Sequence, residues 1–354
     1  MSDQAPFDSI LLVSFGGPEG PDEVLPFLEN VLRGKNVPRE RMLEVVEHYQ
    51  HFGGVSPINA QNRSLIAALR TELDANGIDL PIYWGNRNWH PMLADTLREM
   101  KADGRQRAVA FFTSMFSCYS GCRQYRENIQ VAQQEVGEGA PAVQKVRKGF
   151  NHPLFIEAQA DLVLQGLEQI AAPKRAAVKL LFTAHSIPMS MADNSNYVKQ
   201  LKEAARLVAS KVTLKVASSV ASTGNPENWE LVFQSRSGPP QQPWLEPDVC
   251  DRIEQLAAEG ITDVAIIPLG FVSDHMEVLF DLDTEAKDTC DKLGLGMVRV
   301  ASVGTHPLFV KMICELLRER IEDWPSRAAI GDLPASHDVC PVDCCLYPQP
   351  RRPQ

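Results

Sequence analysis

No run of about 18 consecutive apolar residues occurs in the 354-residue chain, so the sequence has no segment that reads as a membrane-crossing helix. The opening residues, MSDQAPFDS, lack the basic and apolar regions of a secretory signal. An excess of positive charge is also missing. Thirty-five Lys and Arg face 45 Asp and Glu, a net charge of -10, whereas a general nucleic-acid binder needs a basic face to displace counterions. The glycine run in SFGGPEGP has neither the G-x-G-x-x-G spacing nor the Walker lysine of a nucleotide-phosphate turn. These absences describe a soluble, cytoplasmic chain in which any anionic ligand must meet local Arg or Lys.

What is present suits a large α/β fold. Hydrophobic residues make up 44% of the chain, enough for a substantial core, and the length suggests two domains at about 100–200 residues each. Short apolar runs at 9–13, 81–84, 108–113, 178–182, 230–234, 264–268 and 297–303 read as strands. Helix-period segments at 91–100, 153–170, 197–212, 247–258 and 307–321 lie between them, the pattern of parallel sheets covered by helices on both faces. Residues 89–122 and 245–278 align with each other, bringing Pro91 onto Pro247, Gly104 onto Gly260 and Cys118 onto Asp274. Proline suits the first turn of a helix, where no donor is needed, so Pro91 and Pro247 read as helix openers. The alignment implies two similar α/β halves, 1–150 and 151–330. The proline-rich remainder, 331–354, lacks periodicity and must be held by something other than a core.

Reduced cytosolic thiols point to metal binding, catalysis or burial before disulfides. Of the eight cysteines, Cys340, Cys344 and Cys345 crowd the tail and Cys118 and Cys122 sit together, while Cys250, Cys290 and Cys314 lie singly as packing residues.

In open α/β sheets ligands bind beyond the carboxyl ends of the strands, which directs attention to the loops there. His185 ends the apolar run LLFTAHSIP, where it can serve a crevice or simply bond to nearby backbone. Glu277, Asp281 and Glu285 recur every four residues, stacking carboxylates on one helix face at about 0.2–0.5 kcal/mol per like-charge pair. A divalent first-row cation would relieve that repulsion. The alternatives are a solvated acidic face, or a capping box between Asp274 and Glu277. Consecutive glycines in SFGG allow either close approach to a flat ligand or a plain tight turn.

The segments SFGGPEG, HFGGVSPIN, TAHSIP, PWLEP and GFVSDHMEV, in that order, resemble ferrochelatases, with wording similar to the coproporphyrin ferrochelatases of bacteria such as actinobacteria. The resemblance spans the chain. It implies two Rossmann-like halves with a porphyrin cleft between them and insertion of ferrous iron into coproporphyrin III. Protoporphyrin IX as substrate, or a non-catalytic porphyrin or haem carrier, are the alternatives. By resemblance His185 and Glu277 line the metal insertion site and are expected on opposite faces of the macrocycle. The chemistry of the two groups suggests that His185 accepts a pyrrole proton and Glu277 delivers iron or shuttles protons, or the reverse, with Asp281 and Glu285 forming a hydrated path outward. Ser56 and Tyr125 match porphyrin contacts, Arg33 an arginine near the propionates and Trp244 the tryptophan of the PWL motif. Phe15 replaces a tyrosine of firmicute relatives; a phenyl ring cannot ligate iron and would pack on the macrocycle instead. Some members carry a 2Fe-2S cluster, for which this chain offers Cys340, Cys344 and Cys345 with Cys122, and Cys118 as a competing fourth ligand. Zinc is the other metal that four thiolates suit. An iron-sulfur redox sensor would account for the cysteines alone and leave His185 and Glu277 unexplained.

Overall fold

The structure is a computed structural model describing residues 6–34, 37–220, 228–239 and 241–347, with backbone alone at 218–220. Expectations for tail residues 348–354 lie outside the described residues. The first sheet contains β1 (Ser9–Ser14), β2 (Ile82–Asn86), β3 (Arg107–Phe112) and β4 (Ala142–Lys145) in the order β2-β1-β3-β4, all parallel. The second contains β5 (Lys179–His185), β6 (Trp229–Gln234), β7 (Asp263–Ile267) and β8 (Gly296–Arg299) in the equivalent order β6-β5-β7-β8, again all parallel. The central β1 is buried along its whole length, which is why it reads as a continuous apolar run rather than an alternating one. Strand β4 carries no such run. It is a four-residue edge strand with two exposed positions, so sequence periodicity does not reveal it.

The repeat holds in three dimensions, with one correction. Pro91 and Pro247 do not open helices: both follow cis peptide bonds, and the helices begin at Leu93 and Val249. Each proline carbonyl instead accepts from the end of a strand, Asn86 N at 2.7 Å and Phe233 N at 2.9 Å. Gly104 and Gly260 close the two helices in left-handed conformations, φ +74° and +86°.

A second repeat is written in NHPLF and THPLF. His152 and His306 each cap a helix, Pro153–Leu167 and Pro307–Ile321, by accepting the amide of Leu154 or Leu308 on Nδ1 at 3.3 Å. Their Nε2 atoms reach across to matching positions of the other helix, His152 to Glu315 at 3.3 Å and His306 to Asp161 at 3.9 Å. Helix Pro153–Leu167 packs on β7 and β8, whereas Pro307–Ile321, grouped by sequence with the second half, packs on helix Ile58–Ala75 and β3 of the first. The two helices also pack on each other, so one apolar core runs from Leu12 and Phe111 through Phe155 and Phe309 to Phe182 and Ala265.

The tail forms no helix or strand among its described residues. It is held by polar contacts. Ser336 bonds both the amide and the carbonyl of Lys148, Asn151 Nδ2 donates to the Leu333 carbonyl, and Arg123 donates to the carbonyls of Val342 and Cys344. Among the described residues no helix is long and apolar enough to cross a membrane.

A fully buried bidentate pair, Arg147 to Glu319 at 2.7 and 2.9 Å, ties the loop after β4 to helix Pro307–Ile321. Removing one partner strands the other charge without water, at about 3–5 kcal/mol. Glu319→Ala should therefore cost that amount in denaturant unfolding, and Arg147→Met combined with Glu319→Leu should cost less than either single truncation.

Candidate active site

His185 is the last residue of β5, and the chain after the neighbouring β7 carries Glu277. The imidazole is oriented locally. Nδ1 lies 2.5 Å from the Ser186 carbonyl, which can only accept, so Nδ1 is the donor there and Nε2 is the ring nitrogen turned toward Glu277. The Ser186 amide donates to Gln234 and its hydroxyl to the Leu245 carbonyl, both at 2.8 Å. The PWL segment continues this support by pairing Trp244 with Pro188.

The turn after β7 must pass close over β5 to bring Glu277 in. Gly270 donates to the Thr183 carbonyl at 2.9 Å, and a Cβ there would stand 2.7 Å from Cα and Cβ of Ala184, closer than real side chains come. Glycine is required by proximity. The capping box does not form: His275 occupies the cap position, and Asp274 is bound by Arg299 at 2.6 Å. Glu277 is left to the site, with Oε2 3.7 Å from His185 Nε2 and 4.0 Å from Nδ1 of the inward-facing His275. Burial holds the His275 imidazole below its usual pKa.

The 3.7 Å spacing corrects the expectation that the pair brackets the macrocycle. A flat ring packed between two groups needs about 7–8 Å, one van der Waals contact of about 3.5–4.0 Å on each face. In this structure the two groups stand side by side and address one face.

Beyond Glu277 the chain widens into a π-helical segment, Leu279–Ala286, of the kind often found at functional positions. Asp281 accepts from the Ser235 hydroxyl and from Gln234 Nε2 at 3.2 Å. Burial first, then the charges of Glu277 and Glu285, pushes its carboxyl up to about 7. Burial also raises Glu285, helped by Asp248. The ridge thus combines a largely buried carboxyl, Asp281, with Glu277 and Glu285, which remain exposed.

The first half supplies the facing wall. Phe15 stands exposed beyond β1, with its ring against Phe27 and under the Arg87 guanidinium at 5.8 Å. Arg87 also covers Tyr125 at 4.5 Å, and Tyr125 is buried against Phe112. Ser56 is buried where a Cβ at Gly17 would touch it, so it packs on the SFGGP turn. Arg33 lies exposed just past helix Pro21–Val31, and Trp244 packs on Gly238 with its indole nitrogen buried and unpartnered. Met276 enters a cluster with Val24, Phe27 and Tyr49, and His48 stacks on Phe280 at 3.7 Å, docking the first half on the Glu277 helix. Burial and the Glu277 charge hold the Tyr49 phenol protonated. Arg87, Tyr49, His275 and Gly270 were not singled out from sequence, although each lies in or beside a recognised segment.

A second constellation lies where the tail meets the first half. Cys118 is occupied as a cap, accepting the Gly121 amide on Sγ at 3.1 Å. Cys122 instead faces the tail. A hydrogen bond from Cys340, with the nearby cations Lys148, Lys145 and Arg126, holds its thiol below the ordinary range despite burial. Cys344 and Cys345 lie 3.6 Å apart, and all eight cysteines are free thiols. Lys145 and Lys148 are buried with carbonyls as their partners, and two donor nitrogens of Arg126 are buried without any. Uncompensated buried cations around a thiolate suit an anionic thiolate-bound metal group.

Fold and site together bring an imidazole and a carboxylate to the carboxyl ends of two adjacent parallel strands, the position at which open α/β sheets bind their ligands. The ferrochelatase family's sequence model matches residues 8–321. The chain is 64% identical to a ferrochelatase of Rhodopirellula baltica, covering all of this chain and 97% of that one. It is 49% identical to the coproporphyrin III ferrochelatase of Streptomyces coelicolor and 48% to that of Nocardia farcinica, covering 99% and 98% of this chain and 96% and 98% of theirs. The chain belongs to the ferrochelatase family, the porphyrin metal chelatases.

Two outcomes follow. Gly270→Ala should lower stability by about 1–3 kcal/mol through overpacking and depress turnover by moving Glu277 away from His185, checked by unfolding and steady-state rates. Asp281 titrates near 7 when folded against 3.8 as its ordinary value. The folded state thus holds more protons between about pH 4 and 7, and stability falls as pH rises through that window. Asp281→Asn should be neutral near pH 4 and stabilising above pH 7 by on the order of 2–4 kcal/mol, at about 1.36 kcal/mol per unit. Melting temperatures of both proteins across pH 4–8 read this directly.

Proposed function

We propose that this enzyme inserts ferrous iron into coproporphyrin III in the cytoplasm, with His185 accepting a pyrrole proton. The observation that carries the reading is the His185–Glu277 pair, with Nε2 of an imidazole oriented through its Nδ1 3.7 Å from a carboxylate. Imidazole and carboxylate oxygen suit a ferrous ion that must arrive, shed water and leave again, where thiolates would retain it. The macrocycle lies with one face to this pair, and the exposed Phe15 ring offers a packing surface without a metal ligand. Protons taken by His185 pass to Glu277 and out along Asp281, whose carboxyl is pushed up to about 7, and Glu285, whose carboxyl burial also raises. A carrier would have no use for that row of carboxyls. The choice of coproporphyrin, which bears four propionates to protoporphyrin's two, is supported by the Streptomyces and Nocardia relatives and by Arg33 and Arg87 on the first-half side.

For the tail we propose a 2Fe-2S cluster, with Cys122 and Cys340 on one side and Cys344 and Cys345 on the other. When bound, such a group supplies one-electron redox capacity and a crosslink between tail and first half. The buried Lys145 and Lys148 and the half-buried Arg126 offset its negative charge.

Anaerobic turnover with coproporphyrin III and protoporphyrin IX in parallel, followed by loss of free-base fluorescence, tests the substrate. Many equivalents converted, with higher kcat/KM on coproporphyrin, are expected; single-equivalent binding without metallation would sink the enzymatic reading. His185→Ala should lower kcat by about 10²–10⁴-fold, the range for loss of a general base.

A further inference from the structure

Glu277 lies in a segment that one side chain holds from both ends. Arg299, the last residue of β8, donates from Nη2 to Asp274 Oδ1 at 2.6 Å and stands with Nε 3.1 Å from Asp283 Oδ1. Its remaining nitrogen, Nη1, donates to the Val300 carbonyl. Asp274 precedes the short helix Met276–Val278 that carries Glu277, and Asp283 lies inside the π-helical segment Leu279–Ala286 that follows. One guanidinium therefore spans Glu277, and its rigid planar fork fixes the two carboxylates relative to each other as well as to β8. Strand β8 is in turn paired with β7, the strand from which this segment leaves. The first half adds a hold on the same turn, where the Asp274 amide donates to Gln61 Oε1 of helix Ile58–Ala75 at 2.8 Å.

The charges divide along the same line. Between residues 274 and 286 stand five carboxylates, Asp274, Glu277, Asp281, Asp283 and Glu285. Among the described residues Arg299 is the only Lys or Arg paired with any of them, and it takes Asp274 and Asp283, whereas Glu277 faces His185 and His275. Burial raises the Asp283 carboxyl, and the Arg299 charge works against that rise. With 17% of its own side chain exposed, Arg299 cannot be replaced there by water alone, so withdrawing it frees two carboxylates that flank Glu277 in the chain.

We infer that Arg299 is a positioning residue for metal insertion, acting through Glu277 by holding its carboxylate at the 3.7 Å approach to His185 Nε2. Gly270 lets the turn come close over β5, and Arg299 keeps the carboxylate from shifting along it. The inference rests on the His185–Glu277 reading above. Misplacing a reacting group by about 1 Å costs about 10²-fold in rate, so loss of the clamp acts on kcat and leaves porphyrin affinity alone.

The test uses the full chain, with kcat for ferrous iron insertion measured anaerobically and the Kd of free-base coproporphyrin III measured separately by fluorescence. Arg299→Gln should lower kcat by about 10–100-fold with the porphyrin Kd within about two-fold of wild type. Arg299→Lys, whose single ammonium keeps one carboxylate but not the fork, should recover part of that loss. Asp283→Asn severs one arm and leaves Arg299 on Asp274; it should give a smaller fall in kcat, again at unchanged porphyrin Kd, and it decides the matter where Arg299→Gln does not fold. An unchanged kcat in folded Arg299→Gln or in Asp283→Asn would overturn the inference. So would porphyrin binding that weakens in step with kcat, because Arg299 would then serve the substrate or the fold at large. Wild-type protein that binds coproporphyrin without metallating it would overturn the enzymatic reading instead, before any variant is compared.

Discussion

Strands β5 and β7 are hydrogen-bonded neighbours, and the functional cleft depends on how closely the chain leaving β7 lies over the end of β5. The contact of Gly270 with Ala184 sets that distance. A side chain at 270 would lift the turn, and the short helix at Met276–Val278 would rise with it. Because His185 is held from below by Ser186, Gln234 and Leu245, it could not follow. A reactive pair made from residues almost a hundred positions apart thus reduces to one backbone approach that only glycine permits.

The wider frame is secured by exchange. Each half lends a helix to the shared core, and the capping histidines His152 and His306 reach carboxylates at matching positions of the opposite helices. The buried Arg147–Glu319 pair lies on the same seam. Such a pair adds little net stability over apolar packing, yet it penalises any arrangement that separates its partners. On the first-half side, Phe27 and Tyr49 pack against Met276 and His48 stacks on Phe280, so the helix carrying Glu277 is docked on the first half as well.

Electrostatically the two sites are opposites. Around Glu277 the chain accumulates carboxyls and lets burial raise them, which suits a cation that must not stay. Around Cys122 it buries Lys145 and Lys148, with no carboxylate partner among the described residues, beside the half-buried Arg126, and together these cations lower a thiol. The chain's net charge says nothing of this separation, because both environments arise from which residues are removed from water.

Much was legible in the chain itself. Apolar runs betray the buried central strands because both faces of a parallel sheet are covered, and the 89–122 and 245–278 alignment betrays the repeat because the same βα unit is folded twice. The post-strand loops likewise point to His185 and Glu277. Tertiary structure alone decided that these two stand on one side of the cleft, that Pro91 and Pro247 precede rather than open helices, that helix Pro307–Ile321 belongs to the first half's packing, and that Cys122 rather than Cys118 meets the tail. The physical reason is common to all of these: periodicity and motif record what each segment does locally, whereas face, partner and distance are set only when segments remote in sequence compete for the same buried volume.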